Sequence, residues 1–168
     1  MSSAKELDPE MFRHAMTCFA SGVTAITTQE AGIPSGLIAT SVCSLSVDPA
    51  TILICVNKTA SPHDVILRSK SFAVNLLSTE QASVAKRFTS SKGADRFDPE
   101  QWEDGVTGAP TLIDSVVSFD CNLIAVHDGF THSIMVGQIA NVKINDGEVA
   151  NCLLWHRHGF AQSSLSVA

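Results

Sequence analysis

Small hydroxyl and thiol groups are concentrated in one uncharged stretch, Gly36 to Ser46 (GLIATSVCSLS). Thr40, Ser44 and Ser46 share one strand parity while Ser41 and Cys43 share the other, so a plain strand would send them to opposite faces. A bulge or tight turn near Val42 would bring both sets onto a common groove and free backbone N–H groups from the ladder. That groove would suit a planar ligand with carbonyls and ring nitrogens, or an anionic phosphate. A barrel strand kept small where a helix approaches is the alternative reading of the same residues. Asn57-Lys58 ends a strand and leads to a helix start at Ser61-Pro62, an arrangement that offers a phosphate a helix N-terminus. Lys58 also reads as a solvated charge, His63 as a helix-start residue, and His132 as a hydrogen-bonded strand residue. His156 and His158, in HRH, would share a strand face and form half a metal site, but no third ligand lies near; a solvated strand end is the other reading.

Familiar catalytic signatures are missing. No G-x-G-x-x-G follows a strand, no phosphate loop ends in Gly-Lys-Ser/Thr, and no serine sits in G-x-S-x-G. The net charge of -6 and the lack of a basic patch argue against nucleic-acid binding. The start, MSSAKELDPEM, is polar, and no run approaches the roughly 20 apolar residues needed to span a bilayer. A cytoplasmic protein without a membrane segment is therefore expected. Five dispersed cysteines with no C-x-x-C pair predict reduced, buried thiols rather than a disulfide framework.

The elements that must position these groups follow from local rules. Asp8 to Ala20 reads as a helix capped by Asp8, with Pro9 in its first turn and an apolar face of Met11, Phe12, Ala15, Met16 and Phe19; Gly22 stops it. Val23 to Thr28 is β-branched and predicts a strand, joined through QEAGIPSG to the opening stretch as a hairpin. Thr51 to Val56, after the Asp48-Pro49 break, reads as a strand buried on both faces. Ser61 to Ser69 predicts a helix with Ser61 as its cap, Phe72 to Leu77 a strand, and Ser78 onward a helix whose Ser78 and Gln81 have capping-box spacing. Ser90 to Pro110, rich in Gly, Asp and Pro, reads as an irregular loop. Val116 to Val126 and Ser133 to Ile144 predict long strands, with hairpin signals in HDGFTH and at Asn145 to Gly147. CLLWH predicts a last short strand. Six or seven strands with two or three inserted helices and no second domain fit a mainly β, closed antiparallel barrel across residues 1–168 better than an alternating βαβ sheet.

GLIATSVCSLSVDPATILICVNKTASPHDVI closely resembles the signature of the short-chain flavin reductases, the FMN-binding split-barrel family. MFRHAMTCFASGVTAITT is similar to that family's first helix and strand, FAVNLLSTEQASVAKRF to its middle segment, and THSIMVGQI to its histidine-bearing strand; RF, W and GAP follow in order between the last two. The resemblance spans about residues 11–160. It implies a split (Greek-key-like) antiparallel barrel with peripheral helices, and hydride transfer from NADH or NADPH to FMN or FAD. It also implies a homodimer, and a separate monooxygenase that receives the reduced flavin. Reduction of a cobalt corrinoid or other flavin-linked acceptor is the alternative within the family, and a non-catalytic flavin-binding or electron-transfer protein the alternative outside it.

By position, the resemblance assigns Ala39, Thr40, Ser41, Val42 and Cys43 to the isoalloxazine, largely through their backbone. Ser44, Asn57, Lys58, Ser61 and His63 fall to the ribityl chain and phosphate, with Asn75 and Phe88 beside them. His132 falls beside the nicotinamide as the catalytic-site histidine, an orienting donor, and Cys152, Leu153, Leu154 and Trp155 line the nicotinamide site. No metal is implied. Three positions depart from the family pattern: Ile38 replaces a common threonine, Phe130-Thr131 replaces the Gly-Asp before the histidine, and Pro49-Ala50 replaces Pro-Pro. Asp128 is the carboxylate near enough to stand in for the lost aspartate. Arg96-Phe97 in the long loop reads either as a cover for the flavin or partner subunit, or as a loop anchor. The chemistry itself belongs to the flavin, so the protein needs to bind, orient and tune rather than supply a nucleophile.

Overall fold

The computed structural model describes residues 7–145 and 151–164. Helix α1 (Pro9–Met16) begins where Asp8 accepts a hydrogen bond from the Glu10 N–H, 3.0 Å away. It stops well before Gly22, because the Thr17 hydroxyl donates to the His14 carbonyl at 2.7 Å and the next residues turn away. A two-residue strand β1 (Ser21–Gly22) leads into β2 (Thr24–Glu30) and β3 (Ile33–Ala39). Their hairpin turns on Ala31 and Gly32, both with positive φ, the backbone that matches strand twist. Strands β4 (Val42–Val47) and β5 (Ala50–Asn57) flank Asp48-Pro49, a cis peptide.

Helix α2 (Ser61–Ser69) has the expected length, but its N-cap is Ala60 and Ser61 is already helical. After β6 (Ser71–Leu76), Gln81 Oε1 accepts from the Ser78 N–H at 3.2 Å as the capping-box spacing predicts, a single 3-10 turn intervenes, and α3 (Ala82–Ser90) follows. The expected irregular loop contains a small hairpin, β7 (Trp102–Asp104) with β8 (Pro110–Leu112). Arg96 anchors this segment, donating to the Gly36 carbonyl at 2.6 Å and the Ser91 carbonyl at 3.0 Å. Phe97 joins Phe88 and Trp102 in an aromatic cluster, so the Arg96-Phe97 pair acts as a loop anchor in this chain. The two long strands are β9 (Val117–Gly129) and β10 (His132–Ile144), with Phe130 at positive φ in their turn. The proposed turn at Asn145 to Gly147 lies partly outside the described residues. Strands β11 (Leu153–His156) and β12 (Gly159–Gln162) add to β1 as a separate three-stranded sheet, where one terminal strand was expected.

The main sheet has the order β3-β2-β6-β9-β10-β5-β4, and every pairing is antiparallel. Its two edge strands are neighbours in sequence, joined only by Thr40 and Ser41. Three Cα steps reach at most about 11 Å. The sheet must therefore curl until its edges meet at that link, which makes a barrel with a split beside it. Ile26, Ile54, Val56, Ile66, Phe72, Val74, Cys121 and Met135 fill the interior. Gly137 makes room for Phe72: a Cβ there would lie 2.4 Å from the ring. Strand β5 is buried on one face, with Ile52, Ile54 and Val56 inward, while Leu53 and Cys55 are only half-buried, so the expectation of two covered faces fails for the single chain. Among the described residues no helix is long and apolar enough to cross a membrane.

Candidate functional site

The link at the split is pinned from both edges. The Thr24 hydroxyl donates to the Ala39 carbonyl at 2.7 Å on one side. On the other, the Ser41 hydroxyl donates to the Cys55 carbonyl at 2.9 Å, and the Cys55 N–H donates to the Ser41 carbonyl at 3.1 Å. Thr40 and Ser41 lie outside both ladders and are exposed. The interruption foreseen near Val42 thus falls at residues 40–41, with a second register shift between Ser44 and Ser46. Thr40 therefore lies in the link and Ser44 in β4, and their shared parity has no meaning. Cys43 and Ser44 are exposed on the edge strand, and Val42 is half-buried.

A polar flank opens on the β5 side. Asn57 pairs with His132 across the ladder, which brings two expected site residues together. Asn57 Oδ1 accepts from the Thr59 N–H and hydroxyl, each at 2.9 Å, and this tight turn delivers the chain to the α2 N-terminus. Lys58 forms an ion pair with Asp128 and its N–H donates to the Thr131 carbonyl at 3.0 Å. The hydrogen bond from Lys58, helped by the Phe130 N–H, lowers the Asp128 pKa below its ordinary value. Asp128 is thus held by Lys58 in this structure. Ser61 is exposed at the helix start. His132 is half-buried, with Nδ1 2.9 Å from the Thr131 hydroxyl.

An apolar groove of about 500 Å³ opens on the β3 side. Ile38, Ala39 and Thr40 form one wall, Ala85, Lys86 and Thr89 of α3 a second, and Trp155 with Phe160 a third. The two rings meet edge to face, their centroids 5.4 Å apart. Ile38 is thus a wall residue, and the hydroxyl it replaces would have faced an apolar surface. A groove of this size falls in the range that holds nucleotide-sized ligands, and small residues at 39, 40 and 85 leave room for a flat ring.

Several expected residues are elsewhere. Asn75 is fully buried, donating to the Ala25 carbonyl and Thr27 hydroxyl and accepting from the Leu112 N–H and Ser118 hydroxyl, so it has no group left for a ligand. Phe88 is on the buried face of α3, in the core, packed on Phe97 and Trp102. His63 is buried with Nε2 2.9 Å from the Ser133 hydroxyl and Nδ1 2.6 Å from Asp64, so both ring nitrogens are engaged. Leu153 points into the core, and Cys152 and Leu154 are half-buried beside it; of that run only Trp155 lines the groove. His158 sits at positive φ in the β11–β12 turn while His156 is in the strand, so the two do not share a strand face. The sequence reading missed Ala85, Lys86, Thr89 and Phe160 as groove residues. Spacings of three and four on one helix were the available signal for the first three.

The sequence pattern of the flavin reductase like domain matches residues 16–164. The chain belongs to this family. The flavin reductase subunit HsaB of a flavin-dependent monooxygenase from Rhodococcus jostii is 37% identical over 141 residues, covering 84% of this chain and 72% of the relative. An NADH-dependent FMN reductase, RutF of Agrobacterium fabrum, is 36% identical over 140 residues, covering 83% and 80%. The NADH:FAD oxidoreductase SgcE6 of Streptomyces globisporus, solved with NAD and FAD fragments, superposes with a TM-score of 0.84 at 28% identity, covering 96% and 98%. This flavin reductase is an NAD(P)H:flavin oxidoreductase with the split-barrel fold its sequence resembled.

Proposed function

We propose that this flavin reductase uses NADH to reduce exchangeable FMN or FAD at the Thr40–Ser41 link and passes the reduced flavin to a separate monooxygenase. The observation that carries the reading is the pinned link with a polar flank on one side and an apolar groove on the other. When bound, the flavin supplies the hydride-accepting ring and the nicotinamide the hydride. Ala39, Thr40, Ser41 and Val42 let a flat ring approach the backbone, since none carries a side chain large enough to cover the link. Cys43 and Ser44 extend that surface along the edge strand. Lys58, Ser61 and the N-terminus of α2 form the anion-holding end, with Asn57 shaping their turn. His132 stands beside Asn57 as an orienting donor, and Trp155 bounds the nicotinamide side. His63 acts in this reading through Ser133, as a support for the phosphate turn.

The whole chain works as one domain and as a homodimer. No residue of α1 is buried, although Met11, Phe12 and Met16 form an apolar face. That face, with Phe19, opens onto Thr40 and Trp155, so a second subunit seated there would complete the wall of the site. Sedimentation as a monomer at micromolar concentration would remove the dimer. Cytoplasmic residence fits five unpaired thiols, two of them exposed. The decisive experiment mixes purified protein with FMN or FAD and NADH or NADPH and follows the nicotinamide absorbance. Flavin-dependent oxidation, faster with NADH, is expected; no oxidation with either donor would leave only a flavin carrier. Colourless purified protein supports exchangeable flavin, and a yellow one a resident group.

A further inference from the structure

We propose that Lys86 binds a phosphate of the nicotinamide dinucleotide. The proposal rests on reading the apolar groove as the nicotinamide side of the flavin site. Among the described residues Lys86 is the one charged residue in the walls of that groove, and no acid lines it. Among the described residues Arg13 pairs with Glu10, Lys58 with Asp128, Arg68 with Glu30, Arg87 with Asp98 and Lys143 with Glu103. Lys86 has no carboxylate partner among the described residues.

Its placement matches what a dinucleotide needs. The ligand presents a flat ring that prefers an apolar slot and phosphates that need a cation. Trp155 and Thr40 bound the slot, and α3 holds Lys86 on the wall with Thr89, three residues further on. The Thr89 hydroxyl donates to the Lys86 carbonyl at 2.8 Å, so Lys86 supplies the charge at this wall and Thr89 holds the last turn of α3. On the far flank the flavin phosphate has Lys58, whose solvent-exposed pair with Asp128 is weak enough to give way to a phosphate. Two nucleotides are thus served by two lysines on opposite sides of the Thr40–Ser41 link, and in an apolar groove a charge-assisted hydrogen bond to phosphate outweighs a contact on open surface.

The test titrates ADP-ribose against Trp155 fluorescence in the wild type and in Lys86→Gln and Lys86→Arg, alongside steady-state kinetics. Lys86→Gln should weaken ADP-ribose about tenfold, the scale of one charge-assisted hydrogen bond, and Lys86→Arg should restore most of it. The rise in KM should be at least about fivefold greater for NADH than for reduced nicotinamide riboside, which has no phosphate. Unchanged ADP-ribose affinity in Lys86→Gln would overturn the assignment, as would a loss confined to FMN. An equal KM rise for the riboside would overturn it too. Failure of the reductase reading shows separately, as wild-type protein that oxidises no NADH with either flavin.

Discussion

Asn57 and Asn75 are the same residue type at or near the ends of β5 and β6, strands consecutive in sequence but separated in the sheet by β9 and β10, and the structure uses them in opposite ways. Asn75 lies inside the wall, where its amide fills four hydrogen bonds that join β2, β6, β8 and β9. Asn57 is half-buried at the rim and spends one oxygen on shaping the turn to α2. A polar group that is fully satisfied and buried specifies a fold, because no solvent or ligand can replace its partners. One at an open rim, beside exposed Thr40, Ser41 and Ser61, is available to a ligand. Polarity in the sequence signals neither role without burial.

The largest break in that contrast is Asn75→Leu. It strands the Leu112 N–H and the Ala25 carbonyl in the core, and unfolding in urea should show roughly 3 kcal/mol of lost stability. Flavin affinity of the remaining folded protein should be unchanged; a selective loss of flavin binding would return Asn75 to the site. The reverse pattern is expected for Thr40→Trp, which covers the link. Flavin titration should show affinity lowered at least about tenfold with stability within about 0.5 kcal/mol of wild type. A variant that bound flavin normally would move the site away from the link.

Thiol chemistry sharpens the same comparison. Burial, with the Asp120 charge adding to it, pushes the Cys121 pKa up to about 12. Cys43, on the rim, is exposed. Alkylation of native protein should modify Cys43 and Cys18 and reach Cys121 only on unfolding, with FMN slowing the reaction at Cys43, as read by peptide mass spectrometry. The folded state holds the Cys121 proton more tightly than the unfolded chain, whose reference value is 9.0. Its contribution to stability is therefore complete below pH 9 and is lost as pH rises towards 12. Denaturation midpoints that were flat across that window would contradict the burial. The smallest effect belongs to Lys58→Ala, which should leave thermal stability unchanged because the pair with Asp128 is exposed, yet raise the KM for flavin severalfold.

Nearest-neighbour chemistry made several elements legible. The Asp8-Pro9 start, the Ala31-Gly32 turn, the body of the Ser61–Ser69 helix and the Gln81 contact to Ser78 depend on residues within a few positions of each other, so local sequence carried them, although the cap of that helix is Ala60 rather than Ser61. The resemblance carried the ligand class. The small hairpin of Trp102–Asp104 with Pro110–Leu112 was not legible, since its turn-rich composition gives the same local signal as a loop. Nor was the exclusion of Asn75 and Phe88 from the site, which is a matter of what covers them.

The sequence by itself determined that this chain would form an antiparallel β protein with a strand broken by small polar residues, because strand, cap and turn preferences act locally. Only the tertiary structure decided that the break joins the two edges of one sheet. Closure then set Thr40 against Lys86 and Trp155, residues far apart along the chain, and set Ser41 against Cys55 beside the Asn57–His132 pair. The groove arises from those long-range approaches.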